Sequence, residues 1–125
     1  MIIDTDILIW YFRKNEKAAT ALKSAVPFSI SIITLMELIQ GARDKREQQE
    51  IMKLFEVLGA NIINLNDSIS ARALQYIKEY SISHGLTLAD ALIAATSYDE
   101  RAELFTANTR HFEFIPGLAL KRFKP

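Results

Sequence analysis

Four polar residues, far apart in the sequence, each follow an apolar stretch and carry oxygen atoms that can bind a cation. They are three carboxylates and one amide, Asp4, Glu37, Asp90 and Asn108. Three carboxylates that converge repel one another, and a divalent cation relieves that repulsion. Oxygen ligands without cysteine favour Mg²⁺ or Mn²⁺ over zinc. The chemistry predicted from this set is hydrolysis of a phosphate ester by a metal-activated water.

Each acid also has a simpler explanation as a helix cap. Thr34-x-x-Glu37 is the pattern of a capping box, and Thr87-x-x-Asp90 is a weaker version of it. A carboxylate in the first turn satisfies free backbone N–H groups and complements the helix dipole. The acid after the first apolar run has the same alternative. Two further acids are interpreted as caps only, Asp6 and Asp67.

The predicted elements would bring the four residues to one edge of a sheet. Apolar or alternating runs predict strands at 2–3, 27–31, 61–65, 103–106 and 118–120. Helical periodicity and capping residues predict helices at 7–12, 15–24, 34–42, 45–58, 66–84 and 87–97. This alternation predicts an α/β fold with a central, mostly parallel β-sheet flanked by helices. Chemistry in such folds lies beyond the carboxyl ends of the strands, where the four residues fall.

Length and composition limit the class of protein. The chain has 125 residues, 15 basic and 15 acidic side chains, and no cysteine. We expect a single domain over 1–125. Zero net charge excludes binding of nucleic acid by bulk positive charge, although a local basic patch stays possible. No apolar run is long enough to span a membrane, and an acid at position 4 does not fit a secretory signal, so a cytoplasmic protein is expected.

The motifs taken in series resemble the PIN-domain ribonucleases, and among them the VapC toxins of toxin–antitoxin pairs. The matching segments are IIDTDILI at 2–9, TLMELIQG at 34–41, LTLADALIAA at 86–95, TANTRHF at 106–112 and IPGL at 115–118. They occur in the family's order along the whole chain. The resemblance implies a PIN-like fold and endonucleolytic cleavage of RNA. It also implies a VapB-type antitoxin partner and a homodimer.

The resemblance further implies roles for individual residues. It implies that three acids bind the metal ion, namely Asp4, Glu37 and Asp90. Thr5 is expected nearby as a hydroxyl ligand or a substrate contact. Asn108 stands where many family members have a fourth acid, which leaves open whether one or two metal ions bind. Arg110 is the best single candidate for a phosphate contact, and the role of His111 stays open.

Two other clusters allow either a structural or a functional interpretation. Basic residues gather in the middle and at the end of the chain, namely Arg43, Lys45, Arg46, Lys121, Arg122 and Lys124. They are either solvated faces or contacts to RNA. The aromatic run Trp10, Tyr11 and Phe12 belongs either to the core or to a groove for a partner helix.

Three alternative functions are weighed against a nuclease. Asp4-Thr5-Asp6 fits a haloacid-dehalogenase-like phosphatase, but Leu8 departs from that pattern, and such enzymes need a catalytic lysine and a longer chain. A signalling receiver domain needs a lysine after the strand that ends near Thr106, and none is present. A catalytically silent PIN-fold binding module is the remaining alternative. Loss of RNA cleavage when one of the acids is neutralised would favour the enzyme over this binding module.

Overall fold

Strands and helices alternate along the computed structural model, which describes Met1–Pro125. The strands are β1 (Ile2–Ile3), β2 (Ser29–Ser31), β3 (Asn61–Ile63), β4 (Leu104–Thr106) and β5 (Leu120–Arg122). The helices are α1 (Thr5–Phe12), α2 (Glu16–Ala25), α3 (Ile32–Gln40), α4 (Lys45–Leu58), α5 (Asp67–His84) and α6 (Leu88–Asp99). A short 3₁₀ turn covers Thr109–His111. None of the helices is long and apolar enough to cross a membrane.

The strands form one sheet in the order β3-β2-β1-β4-β5, and every neighbouring pair is parallel. The predicted α/β fold with a parallel sheet is therefore confirmed. Ile2 and Ile3 on the central strand are both buried, as expected where helices cover both faces of a sheet. Ile3 packs with the layer made by α1 to α4, and Ile2 packs with α5 and α6.

Most helix ends follow the predicted capping signals. The side chains of Asn15 and Asn66 accept backbone N–H groups at the starts of α2 and α5. Gly59 and Gly85 end α4 and α5 in the left-handed conformation, with φ of 64° and 69°. Glycine adopts this conformation without the steric cost that a Cβ atom brings.

Several predicted boundaries differ from the structure, among them the starts of α1 and β2 and the end of β3. Two of the wrong boundaries have an identifiable physical cause. The first is the start of α3, which begins at Ile32 rather than at Thr34, because Ser31 is the cap and accepts the Ile33 N–H at 3.1 Å. The second is the last strand, which lies at Leu120–Arg122 rather than at 118–120, because Leu120 pairs with Leu104 in the parallel register with β4. Charged residues are tolerated there because β5 is an edge strand.

Candidate active site

Asp4 directly follows the central strand and is held by contacts with β4 and with the start of α1. Its backbone N–H donates to the Phe105 carbonyl at 2.9 Å, which continues the pairing with β4. Its Oδ1 accepts the Thr5 N–H at 2.8 Å, so Asp4 is the cap of α1. Its Oδ2 accepts the Thr106 hydroxyl at 2.7 Å. Asp4 therefore acts as a helix cap and also points a buried carboxylate toward the carboxyl edge of the sheet.

Glu37 reaches the same edge from the second turn of α3. Its Oε1 accepts the Thr5 hydroxyl at 2.7 Å, and the Thr34 hydroxyl lies 3.0 Å from the Thr5 Oγ1. Thr5 thus lies between the first acid and the second. The predicted capping box of Thr34 and Glu37 is wrong, since Ser31 is the cap and Thr34 is fully buried inside the helix.

Asp90 comes to the site from the first turn of α6. Thr87 caps this helix and accepts the Asp90 N–H at 3.2 Å, which confirms the predicted cap. The Asp90 Oδ2 lies 3.2 Å from Nδ1 of His111. His111 follows β4 in the 3₁₀ turn, so the imidazole contacts one acid of the site and helps to orient it.

Asp6 belongs to the site, although its sequence context predicted only a helix cap. Its Oδ2 accepts the Ala107 N–H at 3.0 Å and lies 3.3 Å from the Thr106 hydroxyl. Its Oδ1 is buried without a hydrogen-bond partner. Asp67, the other acid interpreted as a cap, is the first residue of α5, and Asn66 makes the capping contact. The Asp-x-Asp pattern after the first strand was the available signal for Asp6.

The segment after β4 carries the remaining predicted residues. The backbone N–H of Asn108 donates to the Thr106 hydroxyl oxygen at 3.0 Å, while its side chain makes no capping contact and is exposed. Arg110 is exposed in the 3₁₀ turn. Asn108 is therefore tied to the site through its backbone, and Arg110 lies in the same short turn as His111.

Burial and mutual repulsion raise the pKa values of three of these carboxyls. Burial is the main cause that raises the pKa of Asp4 to about 7; the charges of Asp6 and Asp90 add to the rise, and the hydrogen bonds from Thr106 and Thr5 oppose it. Burial is also the main cause of the raised pKa of Asp6. Burial raises the pKa of Asp90, with Glu37 adding to the rise and His111 opposing it. The four acids therefore form one electrostatically coupled cluster, as expected for carboxylates gathered at one sheet edge.

The donors in this cluster fit a hard divalent cation. All are carboxylate or hydroxyl oxygens, the ligands that such ions prefer. No three Asp, Glu, His or Cys side chains are placed to hold one ion together directly. An ion of the Mg²⁺ type needs only one or two direct carboxylates, since it keeps several waters. The buried Oδ1 of Asp6 has no hydrogen-bond partner. Burying a carboxylate oxygen in this way costs free energy unless a proton or a cation binds to it.

The fold and the site together define the class of protein. The carboxylate cluster lies at the carboxyl edge of a parallel sheet, where α/β domains bind their ligands, and its oxygen atoms suit catalysis through a divalent cation. The PIN domain family model matches residues 1–117. The chain belongs to the PIN-domain family, whose ribonucleases generally depend on a divalent metal ion.

Individual relatives agree with this membership. The chain is 34% identical over 124 residues to Ribonuclease VapC10 of Mycobacterium tuberculosis, covering 94% of this chain and 90% of the relative. It is similar to a chain of a toxin–antitoxin complex from Klebsiella pneumoniae, with a TM-score of 0.78, 36% identity and 94% of each chain covered. VapBC2 from Rickettsia felis, solved with a DNA fragment from its promoter, has the same fold, with a TM-score of 0.82, 23% identity and 98% of each chain covered.

Proposed function

We propose that this chain is a metal-dependent endoribonuclease and the toxin of a VapBC-type toxin–antitoxin pair, with residues 1–125 acting as one PIN domain. The observation that carries the proposal is the convergence of Asp4, Glu37 and Asp90 at one sheet edge in a chain related to a VapC ribonuclease. The substrate is RNA and the reaction is hydrolysis of a phosphodiester bond. A toxin that cleaves RNA acts where RNA is present, so the proposed location is the cytoplasm.

Asp4, Glu37 and Asp90 are proposed to hold Mg²⁺ or Mn²⁺. When bound, such a cation orients the scissile phosphate, lowers the pKa of the attacking water and offsets charge in the transition state. Asp4 is fixed in place by the Thr106 hydroxyl and the Thr5 N–H, and Asp90 by its contact with His111. A carboxylate fixed in this way needs no rearrangement when charge develops nearby.

Three other residues are proposed to complete the machinery. Thr5 holds Glu37 through its hydroxyl and is proposed to contact the substrate. Asn108 is proposed to contribute its exposed amide where other family members have a fourth acid. Arg110 is proposed to contact a phosphate of the RNA, because its guanidinium is exposed in the turn that also carries His111.

The proposed partner is a VapB-type antitoxin, in keeping with the complexes named for the Klebsiella and Rickettsia relatives. Ile9 and Phe12 on α1 are 39% and 37% exposed, so this helix leaves apolar surface open to solvent. Tyr11 and Phe12 line a groove of about 300 Å³ beside the start of α2. This surface is the proposed seat of an antitoxin helix. The proposal includes a homodimer, which is inferred from the family resemblance.

The test of the proposed function is cleavage of a labelled pool of structured RNA by the native chain and by Asp90→Asn. The substitution keeps the size of the side chain and removes its charge. We expect discrete cleavage that requires Mg²⁺ or Mn²⁺, stops with chelator, and falls more than about 100-fold in the variant, because several kcal/mol of transition-state stabilisation depend on the cation. Asp67→Asn, which neutralises an exposed acid on α5, is expected to cleave at the native rate.

Equal cleavage by the native chain and by Asp90→Asn would identify a contaminating nuclease and contradict the mechanism. If preparations freed of that nuclease then cleave RNA under no metal condition, the acids are caps and repelling charges only. The chain would then be the alternative, a catalytically silent PIN-fold binding module.

A further inference from the structure

The last strand brings positive charge to the acid cluster. In the parallel register of β4 and β5, Arg122 pairs with Thr106. The Phe123 N–H donates to the Thr106 carbonyl at 2.8 Å, which fixes the end of β5 against that residue. The hydroxyl of Thr106 in turn donates to Asp4. A single strand, β4, therefore separates Arg122 from the first acid, although more than a hundred positions separate them in the sequence.

Arg122 and Arg110 line the same depression in the surface. It has a volume of about 370 Å³ and is lined by Ala107, Asn108, Thr109, Arg110, His111 and Arg122. None of these residues is acidic, so the lining carries two guanidinium groups and one imidazole. The depression adjoins the acids, because the backbone of Asn108 contacts Thr106 and the ring of His111 contacts Asp90.

Neither arginine of the depression has a partner within the protein. The ion pairs of the chain are Arg43 with Glu47, Arg46 with Glu50, and His111 with Asp90. Arg110 and Arg122 thus differ from the arginines near α4, whose charges are met by their own helix. Two unpaired guanidinium groups facing one depression are suited to bind an anion from outside, with the planar fork that fits phosphate oxygens.

The neighbouring lysine shows that the C-terminal basic residues do not all serve the same purpose. The ammonium group of Lys121 lies 5.0 Å from the centre of the Phe105 ring. Successive residues of a strand point to opposite faces of the sheet. Lys121 therefore packs against the core on one face, while Arg122 lines the depression on the other.

We propose that Arg122 and Arg110 together bind a backbone phosphate of the RNA beside the cleaved bond. This inference rests on the proposed function, because RNA is the anion that the acid cluster is there to cleave. A chain with no net charge needs a local basic site to hold a polyanion, and the depression supplies one within reach of the acids. Arg122 is a substrate-binding residue in this proposal and takes no part in bond breaking.

The experiment measures binding of a fluorescein-labelled RNA hairpin by anisotropy at several KCl concentrations. The full chain carries Asp90→Asn throughout, so that the RNA stays intact. Arg122→Gln and Arg110→Gln are each expected to raise Kd about tenfold and to lower the slope of log Kd against log salt by about 0.7, the value for one lost phosphate contact to a single strand. Arg122→Lys keeps the charge but lacks the planar guanidinium, so its Kd is expected to lie between those of the parent chain and of Arg122→Gln.

Arg101→Gln is the matched control, since it removes the same group at the opposite, amino end of β4. It is expected to change Kd less than about twofold. Equal affinities of Arg122→Gln and Arg101→Gln, or no hairpin binding by the parent chain, would overturn the inference. Cleavage assays on the native chain separate the two proposals. If the native chain cleaves RNA but the arginine substitutions do not weaken binding, the proposed function stands and phosphate binding by Arg110 and Arg122 is refuted. If the substitutions weaken binding but the native chain does not cleave RNA, phosphate binding stands and the proposed function is refuted.

Discussion

One hydroxyl group, that of Thr106, lies between the two carboxylates that flank the start of α1. It is 2.7 Å from Asp4 and 3.3 Å from Asp6, and it also accepts the Asn108 N–H. A threonine hydroxyl has one proton to donate, and the shorter distance indicates that Asp4 receives it. Asp6 is therefore left with the Ala107 N–H on one oxygen and no partner on the other. This imbalance makes Asp6 the acid of the cluster with most to gain from a cation.

Asp6→Asn is expected to weaken binding of Mn²⁺ about tenfold, because the substitution removes a charge next to the ligands and keeps the shape of the side chain. The asparagine oxygen can still accept the Ala107 N–H, so the fold is expected to persist. Isothermal titration of the metal-binding affinity measures the effect. Asp67→Asn is the control, since that acid lies on α5 away from the cluster. Equal affinities of the two variants for Mn²⁺ would show that Asp6 is only structural.

Three acids were predicted from the sequence to lie at the carboxyl edge of the sheet, whereas other residues come to this edge only through contacts in space. Asp4, Glu37 and Asp90 were predictable because each follows or opens an element at the carboxyl edge of a parallel sheet. Thr106 was not, because its role depends on a contact with a residue 102 positions away. Arg122 could not be separated from its basic neighbours until the register of β5 showed which face it occupies.

At the scale of elements, β2 runs into α3 without a connecting loop. Ser31 is the last residue of the strand and also the cap of the helix, with its backbone still extended at φ −68° and ψ 145°. The helix axis therefore starts at the sheet edge itself. This places the second turn, and with it Glu37, beside Thr5.

Ser31→Ala is expected to lower the free energy of unfolding by about 1 kcal/mol, the usual cost of losing a helix cap. Urea unfolding measures it, with an unchanged m-value indicating that only stability has altered. Ser29→Ala is the matched control, since Ser29 is in the same strand and caps no helix; it is expected to cost less than about 0.5 kcal/mol. A larger loss in Ser29→Ala than in Ser31→Ala would refute the cap.

The start of α3 also shows where sequence signals for helices fail. Thr34-x-x-Glu37 matches a capping box, but Ser31 offers a capping hydroxyl three residues earlier, where the strand ends. A local sequence pattern does not reveal which of two hydroxyl-bearing residues keeps an extended backbone at the end of the strand and can therefore cap the helix. The caps Asn15 and Thr87 were predicted correctly because no competing capping residue precedes them at the boundary.

The whole molecule is neutral but its charges are segregated at the site. Carboxylates, of which Asp4 is the most deeply buried, lie at the centre of the sheet edge, and unpaired arginines line the depression next to them. Holding these acids together without a cation costs stability, because burial and repulsion disfavour their charged forms. The fold tolerates that cost at its proposed functional site, and the size of the cost depends on pH.

The metal-free protein is expected to lose stability as pH rises from about 4 to about 7. An unfolded aspartate has a pKa of about 3.9, whereas burial raises the pKa of folded Asp4 to about 7. Between these values the folded state keeps a proton that the unfolded state releases, so the free energy of unfolding falls with rising pH. The difference of about 3 units corresponds to at most about 4 kcal/mol. Asp6 and Asp90 act in the same direction.

Asp4→Asn is expected to remove this contribution, since an amide does not titrate and asparagine caps a helix as well as aspartate does. Urea unfolding with chelator at pH 5 and pH 8 measures it. The native chain should lose more stability between the two pH values than Asp4→Asn, while Asp67→Asn should behave like the native chain. Mn²⁺ at pH 8 should raise the free energy of unfolding of the native chain, because a ligand that binds only the folded state stabilises it. It should not do so for Asp4→Asn, which lacks one of the proposed metal ligands. Identical pH dependence in the native chain and Asp4→Asn would show that Asp4 ionises as readily in the folded protein as in the unfolded chain.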